Sequence, residues 1–472
     1  MQGRQTIKLD YKDFIRGSSS SDHLGDGGFS PTTTKINPKV VPGAIYAPPT
    51  LGVVSGSALG GAMIASCGDN DYLGNYRMFL DDSGVTYSWD GTTLTTQETF
   101  SSDKVTFGTT DMVAWNGMFY ITTNVSNTEI AEWDEDGAAI DEDWWTTVAG
   151  GSALQTNTAW RPLLVYERHM YVGDGKFLHR VNESEVVSSS LLTLSDDDRI
   201  TALGIDKGSG NMLIAVVNGG ADFSALRNGD SKILVYDGTA NKALKVIPTS
   251  GLITAFLTTD DRTLVFYANK IGYFTGNGIK FLRTLGFSTG TFDDLNYKHK
   301  VTVHENTAYF IDGDRVIAYG EIISGQKVFY PVYQNSGTEL KFLSIIGAGK
   351  LGISHGTTIV SLDLSSTSSI QESNFFSNKI HFPRPVIIQE AFVEWASAVS
   401  DTVTPAILSI IDESQTATSF GSTALQNSTG ASAYFARTDT LGVKVRTAQI
   451  KIVLQNSNVG IRRVVINYDV VE

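Results

Sequence analysis

A short phrase recurs along most of this chain: an apolar pair or triplet, a turn built on Gly with Asp, Asn or His, then another apolar run. Residues 301–319, VTVHENTAYFIDGDRVIAY, carry it most plainly. Val301 and Val303 alternate with other residues, as do Ala308 and Phe310. His304-Glu305-Asn306 turns the chain, and Asp312-Gly313-Asp314 turns it again. Alternation between such turns predicts half-buried antiparallel strands. Windows that could hold the i, i+3, i+4, i+7 pattern of a helix are interrupted by Gly, Thr or Val. The expected fold class is all-β.

The phrase also has a period. One inner strand per unit reads as 62–66, 118–122, 170–172, 212–216, 263–267, 307–311 and 350–353. Spacings of roughly 40 to 55 residues are those of propeller blades with four short strands each. Turns follow at WDG (89–91), WNG (115–117), GDG (173–175), YDG (236–238), GNG (276–278) and IDG (311–313). Gly and Asn or Asp supply the positive φ that tight hairpins demand. The expectation is a degenerate β-propeller of about seven blades, six or eight fitting the same spacing.

The 472 residues divide into four stretches. Residues 1–52 hold five of the 11 prolines and too few apolar residues for a core, so they read as an extended N-terminal arm. Phe14, Ile15, Ile45, Tyr46 and Leu51 are anchors a plain linker rarely carries, and they predict an arm that lies on its own domain or on a neighbouring subunit. The propeller takes 53–364, a Ser-rich linker 365–378, and a β-sandwich 379–472. Its last strand, GIRRVVINYDV, alternates imperfectly, as an edge or bulged strand does.

Charge and cysteine content narrow the function classes. A net charge of -14 opposes a nucleic-acid-binding surface but suits the wall of a conduit through which DNA passes without sticking. Cys67 is the single cysteine, which excludes an intrachain disulfide framework and reads as a small buried hydrophobe. No run approaches the roughly 18 apolar residues of a membrane span. The N-terminus lacks the pattern of a signal peptide, so folding in a cytoplasm is expected.

Motifs of enzymes are missing. There is no GxSxG, P-loop, HExxH or dinucleotide fingerprint in its required context, and the seven histidines show no paired ligand spacing. No catalytic residue, cofactor or metal is expected. Two acidic runs, 134–136 and 141–143, leave loop-bound calcium as an alternative. Six of the seven tryptophans precede residue 161. Trp144 and Trp145 beside Asp143 fit core packing, a partner contact or a glycan platform. The residues expected at partner contacts are Phe14, Ile15, Tyr46, Trp144 and Trp145.

This order of parts resembles the nozzle or hub proteins of tailed-bacteriophage tails. The likeness is carried by Pro42-Gly43-Ala44 in the arm, NKIHFPRPVIIQEAFVEW at 378–395, and VRTAQIKIVLQ and GIRRVVINYDV at 445–455 and 460–470. The resemblance implies a non-enzymatic virion protein, assembled in the host cytoplasm and located in the tail. It further implies copies in a ring, commonly a hexamer, beside adaptor and fibre proteins with DNA passing through the lumen. The alternative is a glycan-binding receptor-recognition or fibre-attachment propeller on the virion surface.

Overall fold

A computed structural model of the chain describes residues 4–14, 16–18, 29–30, 33, 36, 44–47, 51–56, 58–68, 77–100, 110–123, 130–133, 139–151, 154, 160–218, 230–286, 295, 297–323, 325–335, 337–347, 349–364, 373–399, 406–420, 433–437, 441–454 and 460–471. The chain is nearly all β, with seven successive sheets as propeller blades and a further sheet at the C-terminus. It forms two compact units, one of residues 52–314 and 337–362, the other of residues 1–51, 315–336 and 363–472.

The first blade contains Met63–Cys67, Arg77–Asp81, Val85–Trp89 and Thr93–Thr99, with Ser55–Gly56 added parallel to the last of these. The second contains Met112–Trp115, Met118–Thr122 and Ile130–Trp133. Four-stranded blades then begin at Leu163, Asp198, Ile253 and Val301. Leu51–Val53 joins the edge of the seventh blade, beside Thr358–Asp363, and the Val54 amide continues the pairing to the Ile359 carbonyl at 2.9 Å. A strand from the start of the propeller thus completes its last blade and closes the circle, which leaves no open gap between first and seventh sheets.

The inner strands read from the sequence lie one strand out from the axis in six of the seven blades. The first strands of successive blades touch one another in order around the axis, and Met118–Thr122, His169–Asp174, Met212–Asn218, Thr263–Tyr267, Thr307–Asp312 and Lys350–His355 are second strands. A second strand is covered by neighbouring blades on both faces, so it reads as the most apolar of its set; in Thr263–Tyr267 and Thr307–Asp312 every residue is buried. In the second blade the first strand is more mixed, with Val113 and Ala114 only half-buried. Outside the first blade, where 62–66 falls on the first strand Met63–Cys67, hydrophobicity therefore picked out the second strand.

Turn chemistry was only partly visible. Asn116-Gly117 turns the second blade with both residues at positive φ, as its sequence predicts. Glu167-Arg168 and Glu305-Asn306 make equivalent turns without glycine, all four residues at positive φ. Non-glycine residues adopt this geometry at some cost, so strong strand pairing on both sides must hold it.

In the other unit the hydrogen-bonded order is Gln5–Leu9, Ile461–Val470, Ile380–Val399, Val443–Leu454, Ala406–Ile411, Ala417–Ser419. Val443–Leu454 is shared: residues 443–448 pair with Ile380–Val399, and residues 449–454 pair with Ala406–Ile411 on one side and, in part, Ser373–Phe376 on the other. The register of Ile380–Val399 slips between His381 and Val386, where Pro383 and Pro385 have no amide to donate. Ile461–Val470 is bulged but is not an edge, because Gln5–Leu9 covers its outer side with Ile7 opposite Ile466.

The described residues of the N-terminal segment bond within this unit. Ser18 donates its amide to the Phe329 carbonyl, Ile36 to that of Pro331, and Ser30 to that of Phe376. Thr33 exchanges hydrogen bonds with the Phe376 backbone in both directions. The rings of Phe14 and Phe29 lie 5.7 and 5.4 Å from that of Phe375, which is fully buried. Ile45 and Ile461 exchange backbone hydrogen bonds at 2.9 Å, and a methyl group on Gly460 would sit 2.3 Å from the Tyr46 ring. Gly460→Ala is therefore expected to destabilise this unit by about 1–3 kcal/mol through forced displacement of Tyr46. Urea unfolding followed by near-ultraviolet circular dichroism measures it, and an unchanged midpoint would show that the Tyr46 ring yields freely.

Candidate functional site

The functional side chains that the fold gathers most tightly lie on the propeller axis, where the first strands leave room for one short segment. Tyr297–Lys300, a single 3-10 turn, fills it and touches the first strands of the fifth, sixth, seventh and first blades. Its side chains reach the second and third. Lys298 Nζ lies 2.7 Å from the carboxylate of Asp111, which immediately precedes the second blade, and donates to the Leu163 carbonyl of the third at 2.9 Å. His299 Nε2 stands 2.9 Å from Asp111 Oδ1. Across the closure, Ser66 Oγ of the first blade and Ser344 Oγ of the seventh are 3.1 Å apart, and Arg77 donates to Ser344 at 3.0 Å.

Asp111 is wholly buried and accepts from its surroundings on both oxygens. The Leu163 amide donates to Oδ2 at 2.7 Å and the Met112 amide to Oδ1 at 2.7 Å. Burial by itself would raise its pKa; the Lys298 charge, the His299 donor and the Leu163 amide outweigh it and hold the carboxyl below its ordinary value. His299 is also wholly enclosed, and desolvation lowers its pKa against the opposing pull of Asp111. Its Nδ1 accepts from the Ser66 amide at 3.4 Å, so Nε2 carries the proton toward Asp111. With both ring nitrogens engaged, His299 is not placed to take a proton from a substrate.

Cys67 lies within electrostatic reach of the same groups. Burial pushes its thiol pKa up despite the nearby Arg77 and Lys298 charges, which leaves a neutral thiol and no nucleophile. It packs with Ile64, Met78 and Phe119, as a small hydrophobe would. What the cluster can do is mechanical. It ties the axial turn to blades on opposite sides of the ring.

Of the residues expected at partner contacts, Ile15 lies outside the described residues, and the other four are buried in the chain itself. Phe14 and Tyr46 pack as above. Trp144 and Trp145 start a short helical turn, Trp144–Thr147, at the joint of the second and third blades. Trp144 stands 4.7 Å from the Tyr120 ring, and Trp145 meets His179 edge-on at 5.7 Å. Of the acidic runs, 134–136 lies outside the described residues; among the described residues no group of three or more His, Cys, Asp or Glu is placed to hold a metal ion. His169 is half-buried, whereas His179 is buried 3.5 Å from Asp174, itself bonded to Arg161 at 3.0 Å. The axial cluster escaped sequence reasoning because Asp111, Leu163 and Lys298 are separated by 52 and 135 residues and share no motif.

No protein-family model and no curated protein matches the chain. Among solved structures it is similar to the computationally designed Ika8 protein, at 13% identity and a TM-score of 0.40 over 66% of this chain and 100% of that one. It is also similar to YCF48 bound to a D1 peptide, at 9% identity and a TM-score of 0.44 over 71% of this chain and 100% of that one. Likenesses this distant add nothing to what the strand order establishes.

Removing one partner of a buried charge pair strands the other, so Asp111→Asn is expected to cost about 3–5 kcal/mol of propeller stability. The shift of its urea midpoint against wild type reads this. Acid acts with a definite sign. His299 has a lowered folded pKa, so the unfolded chain binds its proton first, near an ordinary value of about 6.5. Stability contributed by neutral His299 is complete above that value and declines as pH falls below it, by at most about 1.4 kcal/mol per pH unit. Asp111 loses its contribution lower, as pH falls through its depressed folded value. Melting curves from pH 7.5 to 5 should drop in wild type, and His299→Gln should remove part of that slope.

Proposed function

We propose that the chain is a non-enzymatic structural subunit of a tailed-phage virion, a tail nozzle or hub component that forms rings around the DNA conduit. The observation that carries this reading is the sheet shared by both ends of the chain, with Gln5–Leu9 paired along Ile461–Val470. The propeller closes on itself, but among the described residues this sheet ends on one side in Gln5–Leu9 and on the other in Ala417–Ser419. An edge strand such as Gln5–Leu9 is where a neighbouring chain can add to a sheet, and a sheet with two ends suits head-to-tail addition of copies. A closed propeller is by contrast a stiff block.

The buried charges that the structure describes are committed to internal partners, which suits a scaffold. Because Tyr297–Lys300 occupies the propeller axis, the conduit in this reading is the lumen enclosed by several copies. A net charge of -14 keeps DNA from adhering to such a wall over distances up to roughly 8–10 Å at physiological salt. The alternative, a glycan-binding or fibre-attachment propeller, needs exposed aromatic platforms, and Trp144 and Trp145 are buried.

Native mass spectrometry and electron microscopy of the purified chain test the proposal. The expected result is a closed ring, six copies being the favoured number, that docks at the tail of a tailed particle. A protein that stays monomeric at every concentration and joins no particle would overturn it, and glycan-array hits would favour the alternative.

A further inference from the structure

Where Ile380–Val399 slips its register between His381 and Val386, the excursion through Phe382, Pro383 and Arg384 walls a pocket of about 240 Å³ on the C-terminal sheet. Its floor comes from three neighbouring strands. Gln5 stands opposite Tyr468 and Val386 opposite Val470, and residues two apart on a strand share a face, so these four side chains project to the same side. Val386 is buried at the base, and the half-buried rings of Phe382 and Tyr468 meet edge-on at 5.1 Å. Gln5 belongs to the strand at which this sheet ends among the described residues, so pocket and sheet edge adjoin.

The polar groups of this pocket are donors. Tyr468 gives its hydroxyl proton to Gln5 Oε1 at 2.8 Å, which occupies that amide oxygen and leaves the two N–H groups of Nε2. Arg384 is exposed and, among the described residues, has no hydrogen bond or ion pair; its guanidinium adds a rigid fork of further donors. No carboxylate of the described residues lines the pocket. Asp469 projects to the opposite face and is held by Gln389 at 2.8 Å, and Glu390 is taken by Arg4 and Asn467 at 2.8 and 3.0 Å. The rest of the lining, Phe382, Pro383, Val386 and Val470, is apolar. A ligand that answers both halves carries an acceptor-only anion on an apolar body. A metal ion or an ammonium finds no carboxylate here, and sugar hydroxyls, which donate as well as accept, would leave protons without partners.

We propose that this pocket takes the carboxyl terminus of a partner polypeptide whose last residue is apolar. Its carboxylate is held by the Arg384 fork and Gln5 Nε2, and its last side chain lies against Phe382, Val386 and Val470. The residues before it reach the sheet edge at Gln5–Leu9, where main-chain pairing is open to an added strand. That edge favours a polypeptide over a free organic acid, because a single carboxylate on an exposed guanidinium binds weakly in water. Nothing in this pocket depends on ring formation.

Fluorescence polarisation on the full chain tests it with an array of short labelled peptides, the last residue varied and each free acid set beside its carboxamide. Free acids ending in Leu, Val or Phe are expected to bind roughly tenfold or more tighter than their carboxamides. Arg384→Gln should abolish that difference and Arg384→Lys should keep part of it. Tyr468→Phe returns Gln5 Oε1 to the pocket as an acceptor and should weaken the free acids while sparing the carboxamides. Matched melting curves establish that the variants fold. Carboxamides that bind as well as the free acids, or free acids that fail to bind at millimolar concentration, would overturn the proposal. Carboxamide peptides that bind only when they carry a Glu side chain would support a carboxylate site and move its carboxylate from the chain end to a side chain. Glucuronate or inorganic phosphate matching the peptides in affinity would overturn a polypeptide as the occupant.

Discussion

The propeller depends on one buried carboxylate. A ring of seven sheets, each touching only its neighbours, leaves a seam along its axis that the first strands cannot fill. Asp111 holds Tyr297–Lys300 in that seam through Lys298 and His299, and the backbone amides of Met112 and Leu163 satisfy its remaining acceptor capacity. A carboxylate removed from water costs several kcal/mol unless its charge and lone pairs are matched, and here they are. The cost sets the specificity: Asp111 tolerates burial only when the first, second, third, fifth, sixth and seventh blades are placed correctly around the same turn. Closure by Leu51–Val53 and the axial lock therefore reinforce each other.

The lock also bears on what the propeller can do. Propellers commonly offer their central opening to a ligand, and here the chain's own residues occupy it. His299 has both nitrogens in use and Cys67 is a neutral, enclosed thiol. In the proposed reading, contacts with other chains fall to blade edges and to the ends of the C-terminal sheet. In the N-terminal segment, Phe14, Phe29 and Tyr46 are consumed internally around Phe375 and Gly460, while Gln5–Leu9 stands at the end of its sheet among the described residues.

Much of the architecture was legible because it rests on local periodicity. All-β class, blade spacing and the turns at Asn116-Gly117 and Asp312-Gly313-Asp314 come from residues close in sequence. Glu167-Arg168 and Glu305-Asn306 were less visible as positive-φ turns, since neither contains glycine and the strands on each side impose the geometry. In six of the seven blades the strand read as inner is the second one, because burial on two faces, a property of the assembled ring, makes that strand strongly apolar. For Trp144 and Trp145 the sequence left core packing, a partner contact and a glycan platform open, and a short helical turn directs both indoles into the joint of two blades.

The sequence by itself determined the alphabet of this protein: short strands at a blade period, an arm too poor in apolar residues to stand alone, one cysteine and a strongly acidic balance. Each follows from composition or from spacing within a few residues. Tertiary structure decided everything that needs distant residues in one place. It joined Gln5–Leu9 to the last strand, closed the propeller with Leu51–Val53, and brought Asp111, Leu163 and Lys298 together on the axis. The physical reason is range. Turn and strand preferences act between neighbours, whereas the free energy of burying a charge exists only when every partner that compensates it has arrived.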